Sequence, residues 1–539
     1  MKWVLCWHIE EAAVCRSRVV AVMVPVAQSC TTTTIDASLL SQNRPCSLRR
    51  CVLPARCMYS KAPCISALEI DQCIRTILQL CPTTKLPRIA LALSGGVDSL
   101  ALLLVLSQLY KQRQQLDDVV ALTVDHALRA ESSSEAAELH ARMEHHGIRH
   151  EVLKLPDTIS EALLSRRSRE STSQGVEKLA RQGRFEALTA GCLRHNAKHL
   201  FLAHHADDQA ETVLMRLAQG ASWRGMSGIR PLAWNPASGC SLHGASSIRL
   251  VRPFLTLPKA RLRATCEAMG EAWYEDASNA DTSLTMRNAV RKLLQTPNMQ
   301  LPVALQPTNL VRLSSELQIH RRDLELRIAK VLGRCDVSVD EQIGMLSFRF
   351  AALNRLSRDA VLIALQGLAE IVTPSTSVKL ESMQAVFTLL CDAKESQVTA
   401  AGLVWQRKGD LCRVWRQPWQ ASEEIDLTQE PILWDRRFWI SGQGSRLRLR
   451  CLRKSDMTSL RHLAKTQNKE AELDRLLKRA RGALRFTLPV IIGETGQLLA
   501  LPSASLAFDS GIEWTCNLAH FYKLNRLLEP ERIHDMALN

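Results

Sequence analysis

Between about residues 85 and 295, short apolar runs alternate with longer amphipathic or capped segments. Residues 88–93 and 119–124 are continuous apolar runs of strand length, as strands buried on both faces should be. Residues 149–155 and 199–204 read as two further strands. The apolar stretch 100–106 reads as a helix packed on the sheet. Ser132, Ser133, Ser134 and Glu135 form a capping box, opening a helix that closes at Gly147. Residues 175–192 and 208–218 read as helices. This alternation predicts an α/β fold with parallel strands joined by right-handed crossovers. In such sheets ligands sit at the carboxyl ends of the strands. The polar signals fall there: residues 94–99, then Asp125 and His126, then His204 and His205. Beyond this domain, residues 308–333 read as a long charged helix with Leu310, Leu313, Leu317 and Leu324 as its apolar stripe. It opens a helical middle region. From about residue 430 strands and turns predict a small α+β domain. The expected divisions are 1–68 for an extension, 69–300 for the α/β domain, 301–425 for the helical region and 426–539 for the last domain.

The six residues Ser94, Gly95, Gly96, Val97, Asp98 and Ser99 join the first strand to the first helix of the sheet. Two glycines allow a tight turn and a close backbone approach to a ligand. The free N–H groups at the helix start favour an anion, and Ser94 and Ser99 add hydroxyl donors. Asp98 would repel phosphate on its own, so it makes sense as a ligand for Mg²⁺ carried by ATP. The Gly-x4-Gly-Lys pattern of a Walker loop is absent. A plain Gly-Gly turn accounts for two of these six positions and leaves the other four unexplained. The segment resembles the PP-loop of enzymes that split ATP into AMP and pyrophosphate.

A second cluster runs from His204 and His205 through Asp207 and Asp208 to Glu211 and Thr212. On a helix, Asp208, Glu211 and Thr212 fall on neighbouring faces. Acids in a first helical turn can simply complement the helix dipole. Two histidines and three acids at the mouth of a nucleotide sheet go further than that. With the 94–99 loop, this cluster resembles tRNA(Ile)-lysidine synthases. Residues 122–129, 177–185, 273–279 and 287–291 extend the likeness in the same order and spacing. It is specific over about 88–295 and diffuse beyond. Gly183 departs from it, standing where that family often has a longer side chain, and 233–247 looks like an insertion.

The resemblance implies a ligase that uses ATP to adenylate the wobble cytidine of a tRNA(Ile) with a CAU anticodon. L-Lysine then attacks C2 and AMP leaves. It implies that Ser94, Gly95, Gly96, Val97, Asp98 and Ser99 bind ATP, with Asp125, His126, Arg129 and His204 as further nucleotide contacts. Asp98, Asp208, Glu211 and Arg181 are its candidate catalytic residues, Asp98 also holding Mg²⁺. A carboxylate such as Asp208 or Glu211 could hold the lysine ammonium and take its proton. Asp207, Arg184, Arg287 and Arg291 are candidate substrate or tRNA contacts. A homodimer is compatible with it.

Charge and cysteines narrow the alternatives. Lys and Arg exceed Asp and Glu by 15 in 539 residues, a balance suited to a polyanion such as RNA. Arg446, Arg448, Lys478, Arg479 and Arg481 lie in the last domain, where no catalytic motif is found, and are candidate phosphate contacts. The 17 cysteines include no Cys-x-x-Cys, which counts against a zinc ribbon or a tRNA thiolase. No glutaminase segment suggests an amidotransferase, and intact motifs argue against an inactive tRNA-binding protein. The first 68 residues hold eight Lys/Arg against three acids, the composition of a mitochondrial transit peptide. Glu10 and Glu11 are atypical for one, and Met58 is an alternative start, which would leave the protein in the cytoplasm. The apolar stretch 19–27 is too short to span a bilayer, so no membrane partner is expected.

Overall fold

The computed structural model describes residues 2–6, 22–26, 62–125, 132–155, 159, 173–235, 247–274, 286–295, 301–372, 378–392, 395–418, 424–435, 437–443, 446–508, 513–518 and 527–528. His126, Arg129, most of the N-terminal extension and most of the 233–247 insertion lie outside them. Strands β1 (Lys2–Cys6) and β2 (Val22–Val26) pair antiparallel. The chain divides into two compact units: residues 1–235 with 248–321, and 236–247 with 322–539.

The first unit is built on a six-stranded sheet. Its strands are β3 (Ile89–Ala92), β4 (Val119–Asp125), β5 (Arg149–Lys154), β6 (His199–Phe201), β7 (Leu232–Trp234) and β8 (Arg249–Val251). The order is β5-β4-β3-β6-β8-β7, all parallel except β7. The chain runs outward from β3 to β5, then returns to place β6 on the other side of β3. The crevice between β3 and β6 is therefore the switch point of the sheet, where parallel sheets bind ligands.

Helix α1 (Ala67–Leu78) precedes the sheet, and Ser66 caps it by accepting the N–H of Glu69. Ile65 is buried, its N–H donating to Thr265 Oγ1 at 3.0 Å. The fold thus takes hold at Ile65, a few residues ahead of the expected start at 69. Helix α2 (Val97–Gln112) is buried along residues 99–106 because it is flanked by the sheet, α1 and a later helix. Helices α3 (Ser132–His145), α4 (Ser173–Arg194) and α5 (Ala206–Ala218) match the expected periodicity. Gly183 lies on α4 where an added Cβ would come within 2.8 Å of Ile159 Cγ2. The packing itself explains the missing side chain. Helices α6 (Lys259–Ala268) and α7 (Met286–Gln295) complete the part that forms the site.

Helix α8 (Pro307–Leu332) spans residue 321, so the division between the two compact units falls inside it. The second unit carries helices α9 (Arg358–Val372) and α10 (Ser382–Asp392). Beside them lies a five-stranded antiparallel sheet that the periodicity did not show, built from strands such as Glu395–Ala400 and Leu403–Lys408. The middle region is therefore α+β. Further on, a five-stranded and a three-stranded antiparallel sheet accompany helices α11 (Asp456–Thr466) and α12 (Glu470–Arg479). Among the described residues, no helix is long and apolar enough to cross a membrane.

Candidate functional site

The loop after β3 keeps its shape through its own side chains. Gly95 has φ +76°, and a Cβ there would lie 2.6 Å from Tyr274 Cδ2. Its carbonyl accepts the N–H of Tyr274 at 3.0 Å. Only glycine satisfies both demands. Ser99 is buried; its hydroxyl lies 3.1 Å from Ser94 Oγ and donates to the Gly96 carbonyl at 3.0 Å. The Ser99 hydroxyl thus braces the loop, and the anion-facing donors are the N–H groups at the start of α2.

Asp98 sits on the first turn of α2. Its Oδ2 accepts from Lys259 Nζ at 3.3 Å and lies 3.6 Å from His205 Nε2. Its Oδ1 is buried and has no hydrogen-bond partner among the described residues. Burial pushes this carboxyl up, but His205 and Lys259 outweigh it and hold it below the usual range. An ionised carboxylate with one oxygen unspent suits a hard cation whose remaining ligands are phosphate and water oxygens. That donor set fits Mg²⁺ arriving with ATP.

The second motif enters the same crevice from β6. The His205 N–H donates to Asp208 Oδ2 at 3.1 Å, closing the start of α5. His205 Nε2 is 3.6 Å from both Asp98 Oδ2 and Asp208 Oδ2. Burial disfavours its charge, but Asp98 and Asp208 more than offset that and raise its pKa. His204 behaves oppositely: burial, with Arg252, Arg287 and Arg181 nearby, pushes it down to about 4 despite Asp208. It is a neutral ring. Asp207 accepts the backbone N–H of Lys259 at the start of α6, and burial together with adjacent Asp208 raises its carboxyl.

Helix α7 brings two arginines across α5. Arg287 donates to Asp208 Oδ1 at 2.8 Å and to Glu211 Oε2 at 2.9 Å. Arg291 Nε donates to Glu211 Oε1 at 2.6 Å. Glu211 is only 3% exposed. Both carboxylates are therefore anchored by guanidinium forks. Arg287 and Arg291 were expected as substrate contacts; in this structure their first partners are the acids themselves.

Arg181 and Arg184 are exposed on α4, with Arg181 near the Phe185 ring. Asp125 ends β4, level with the loop. Two residues of the site carried no sequence signal. Lys259 reaches Asp98 from α6, and Arg252 leaves β8 beside His204.

The basic residues of the second unit are less free than their spacing suggested. Arg446 pairs with Glu494, Arg448 with Glu424, and Arg479 with Asp340 at 2.9 Å. Arg481 Nε donates to the Lys478 carbonyl. Lys478 has no side-chain partner among the described residues. The open basic surface therefore centres on Lys478 and Arg481.

Residues 70–297 match the PP-loop domain family. The probable tRNA(Ile)-lysidine synthase of Schizosaccharomyces pombe is 30% identical over 460 residues, covering 81% of this chain and 95% of its own. That of Orientia tsutsugamushi is 25% identical, covering 79% of this chain and 91% of its own. That of Novosphingobium aromaticivorans is 39% identical over 36% of this chain and 52% of its own. Among solved structures, the U34-tRNA thiolase NcsA from Methanococcus maripaludis covers 47% of this chain and 80% of its own at 16% identity. Its TM-score of 0.35 is too low to bear on the reading. The likeness to the first two extends well past the α/β domain, and the two motifs that carry it meet in one crevice. The chain belongs to the tRNA(Ile)-lysidine synthase family of PP-loop enzymes.

Proposed function

We propose that the chain adenylates O2 of the wobble cytidine in a tRNA(Ile) with a CAU anticodon, then joins L-lysine to C2 and releases AMP. The observation that carries this is the line from Asp98 through His205 to Asp208, two steps of 3.6 Å each. It ties the phosphate loop to the acid–arginine lattice, so activation and amine attack share one site.

The N–H groups at the start of α2 hold the departing pyrophosphate. Asp98 would hold Mg²⁺, which would supply positive charge against the phosphates. Lys259, close to Asp98, adds a cation to the same phosphates. Cytosine O2 becomes a competent leaving group once it carries AMP. Lysine must lose a proton before it attacks. Burial pushes Asp208 up, but His205 and Arg287 outweigh it and keep it ionised, which suits it to seat the lysine ammonium. Asp207, with its raised carboxyl, suits the proton. Glu211, gripped by Arg287 and Arg291, fixes the lattice.

A sulfur-transferring alternative needs an activated thiol. Burial pushes both Cys192 and Cys266 up to about 12, the opposite of a nucleophile's environment. The composition of residues 1–68 supports import into mitochondria as part of this reading, and a reporter fused to them that stays cytosolic removes that part.

Mass spectrometry of nucleosides from tRNA(Ile) incubated with the protein, ATP, Mg²⁺ and lysine tests the reaction. Lysidine in that digest, with AMP formed in step, is the expected outcome. AMP release into a sulfur-containing nucleoside, or no tRNA-dependent AMP at all, refutes it.

A further inference from the structure

We infer that Arg252 is the seat for the α-carboxylate of the amino acid that attacks the activated base. The inference rests on the ligase reading above and names a substrate contact for it.

Arg252 is 7% exposed, yet no carboxylate lies within ion-pair distance of it among the described residues. Its Nη1 donates to the Arg230 carbonyl at 2.9 Å, while its Nε is buried without a partner. The less buried cations of the site each meet an acid: Arg287 and Arg291 share Asp208 and Glu211, and Lys259 has Asp98. A buried guanidinium is retained when something anionic completes it. Among the described residues no acid completes it, and nearby Arg181 repels it further.

The sheet says which anion. Phe201 of β6 pairs with Leu91 of β3 and with Val251 of β8. Arg252 therefore leaves β8 level with the loop after β3, two strands away, or about 10 Å. The α2 N–H groups and Asp98 already serve the phosphates at β3, and Asp125 ends β4 on the far side of β3. Arg252 stands on the opposite side, next to the neutral His204 ring, which in turn faces Asp208 of α5. Lysine is zwitterionic at its α-carbon and carries its reacting amine five bonds away. Its two ends need separate seats, and an arginine fork fits a carboxylate.

The test compares L-lysine with L-lysinamide, which keeps both amines and loses the carboxylate charge, in the full-length protein with tRNA and ATP. The wild type should prefer lysine in kcat/KM by about 30-fold, the worth of one charge-assisted contact. Arg252→Gln should lose that preference to within about threefold, with KM for ATP nearly unchanged. Arg252→Lys keeps the charge without the fork and should fall between them, which also serves if the glutamine variant folds poorly. A folded Arg252→Gln that prefers lysine as strongly as the wild type overturns the assignment. So does a raised KM for ATP at an unchanged lysine preference, which would place the nucleotide phosphate on Arg252. A wild type that forms no lysine adduct at all instead sinks the parent reading.

Discussion

Arg287 Nε donates to Glu211 Oε2 at 2.9 Å, joining α7 to a carboxylate that is almost wholly buried on α5. The same guanidinium reaches Asp208, so one arginine sets the positions of two acids 79 and 76 residues away in sequence. Replacing both Arg287 and Arg291 with Gln leaves Glu211 charged and unpaired. Breaking such a pair costs about 3–5 kcal/mol. Thermal unfolding should show a large loss for that double variant. Adding Glu211→Gln should restore much of the stability while lysine transfer stays lost. Equal stability of all three proteins would mean the lattice is not closed in solution.

Asp98→Asn should abolish tRNA-dependent pyrophosphate release and leave the fold intact. The carboxylate charge is what a hard cation needs, whereas Asn keeps the shape. The amide can still accept from Lys259, so the variant should stay folded, with only a modest loss from the weakened attraction of His205 and Lys259. Near-normal pyrophosphate release at ordinary Mg²⁺ concentrations would take Asp98 out of the mechanism.

The α/β order and both motifs were legible because each is carried by contiguous residues: a buried run, then Gly95 and Gly96, or a run ending at His204 and His205. Arg252 and Lys259 were not, since their meaning depends on which strand end lies beside which. The pairing of Arg287 with Glu211 is likewise a tertiary fact. Residues 395–400 were missed as a strand because Glu395, Ser396 and Gln397 are polar and the strand alternates only between exposed and half-buried positions. The basic run from 446 to 481 looked free because the acids that meet it, Glu424, Glu494 and Asp340, are remote in sequence.

The first unit should lose stability in acid through His150. This ring is buried, with Nε2 2.8 Å from Thr123 Oγ1 and Nδ1 3.1 Å from His140 Nδ1. Burial, then the His140 charge, pushes it down to about 4 from 6.5. Above pH 6.5 both folded and unfolded rings are neutral and nothing is lost. Between 6.5 and 4 only the unfolded chain takes the proton, so stability falls with pH, levelling off at roughly 3 kcal/mol. His150→Gln should flatten the unfolding midpoint across that window. An unchanged slope would place the acid sensitivity elsewhere, His204 being the next group that resists protonation.

The N-terminal limit of the fold can be set by truncation. A chain starting at residue 62 keeps Ile65 and the Ser66 cap and should unfold like the full-length protein. One starting at Glu69 loses both. Loss of the cap costs about 1 kcal/mol and loss of a buried Ile about 2 kcal/mol or more. Identical melting of the two truncations would show that α1 does not need Ile65 or its cap.

The last prediction separates RNA grip from ion pairing in the second unit. Lys478 and Arg481 have no acid partner among the described residues, while Arg446, Arg448 and Arg479 are already paired. Exposed pairs are worth little and exchange readily, so pairing weakens the case for those three without removing it. Neutralising Lys478 and Arg481 together should weaken tRNA binding and reduce the log–log salt slope by about one to two units, since each lost phosphate contact removes about 0.7–0.9. Neutralising Arg446, Arg448 and Arg479 should change the slope less, because guanidiniums already paired with acids release fewer phosphate counterions on binding. ATP binding should survive both sets, as the phosphate loop is in the first unit. Affinity measured across a salt series decides between them. Parallel lines for the wild type and the Lys478/Arg481 variant would mean that these side chains only solvate the surface, and the tRNA contacts must then be sought on the arginines of α4.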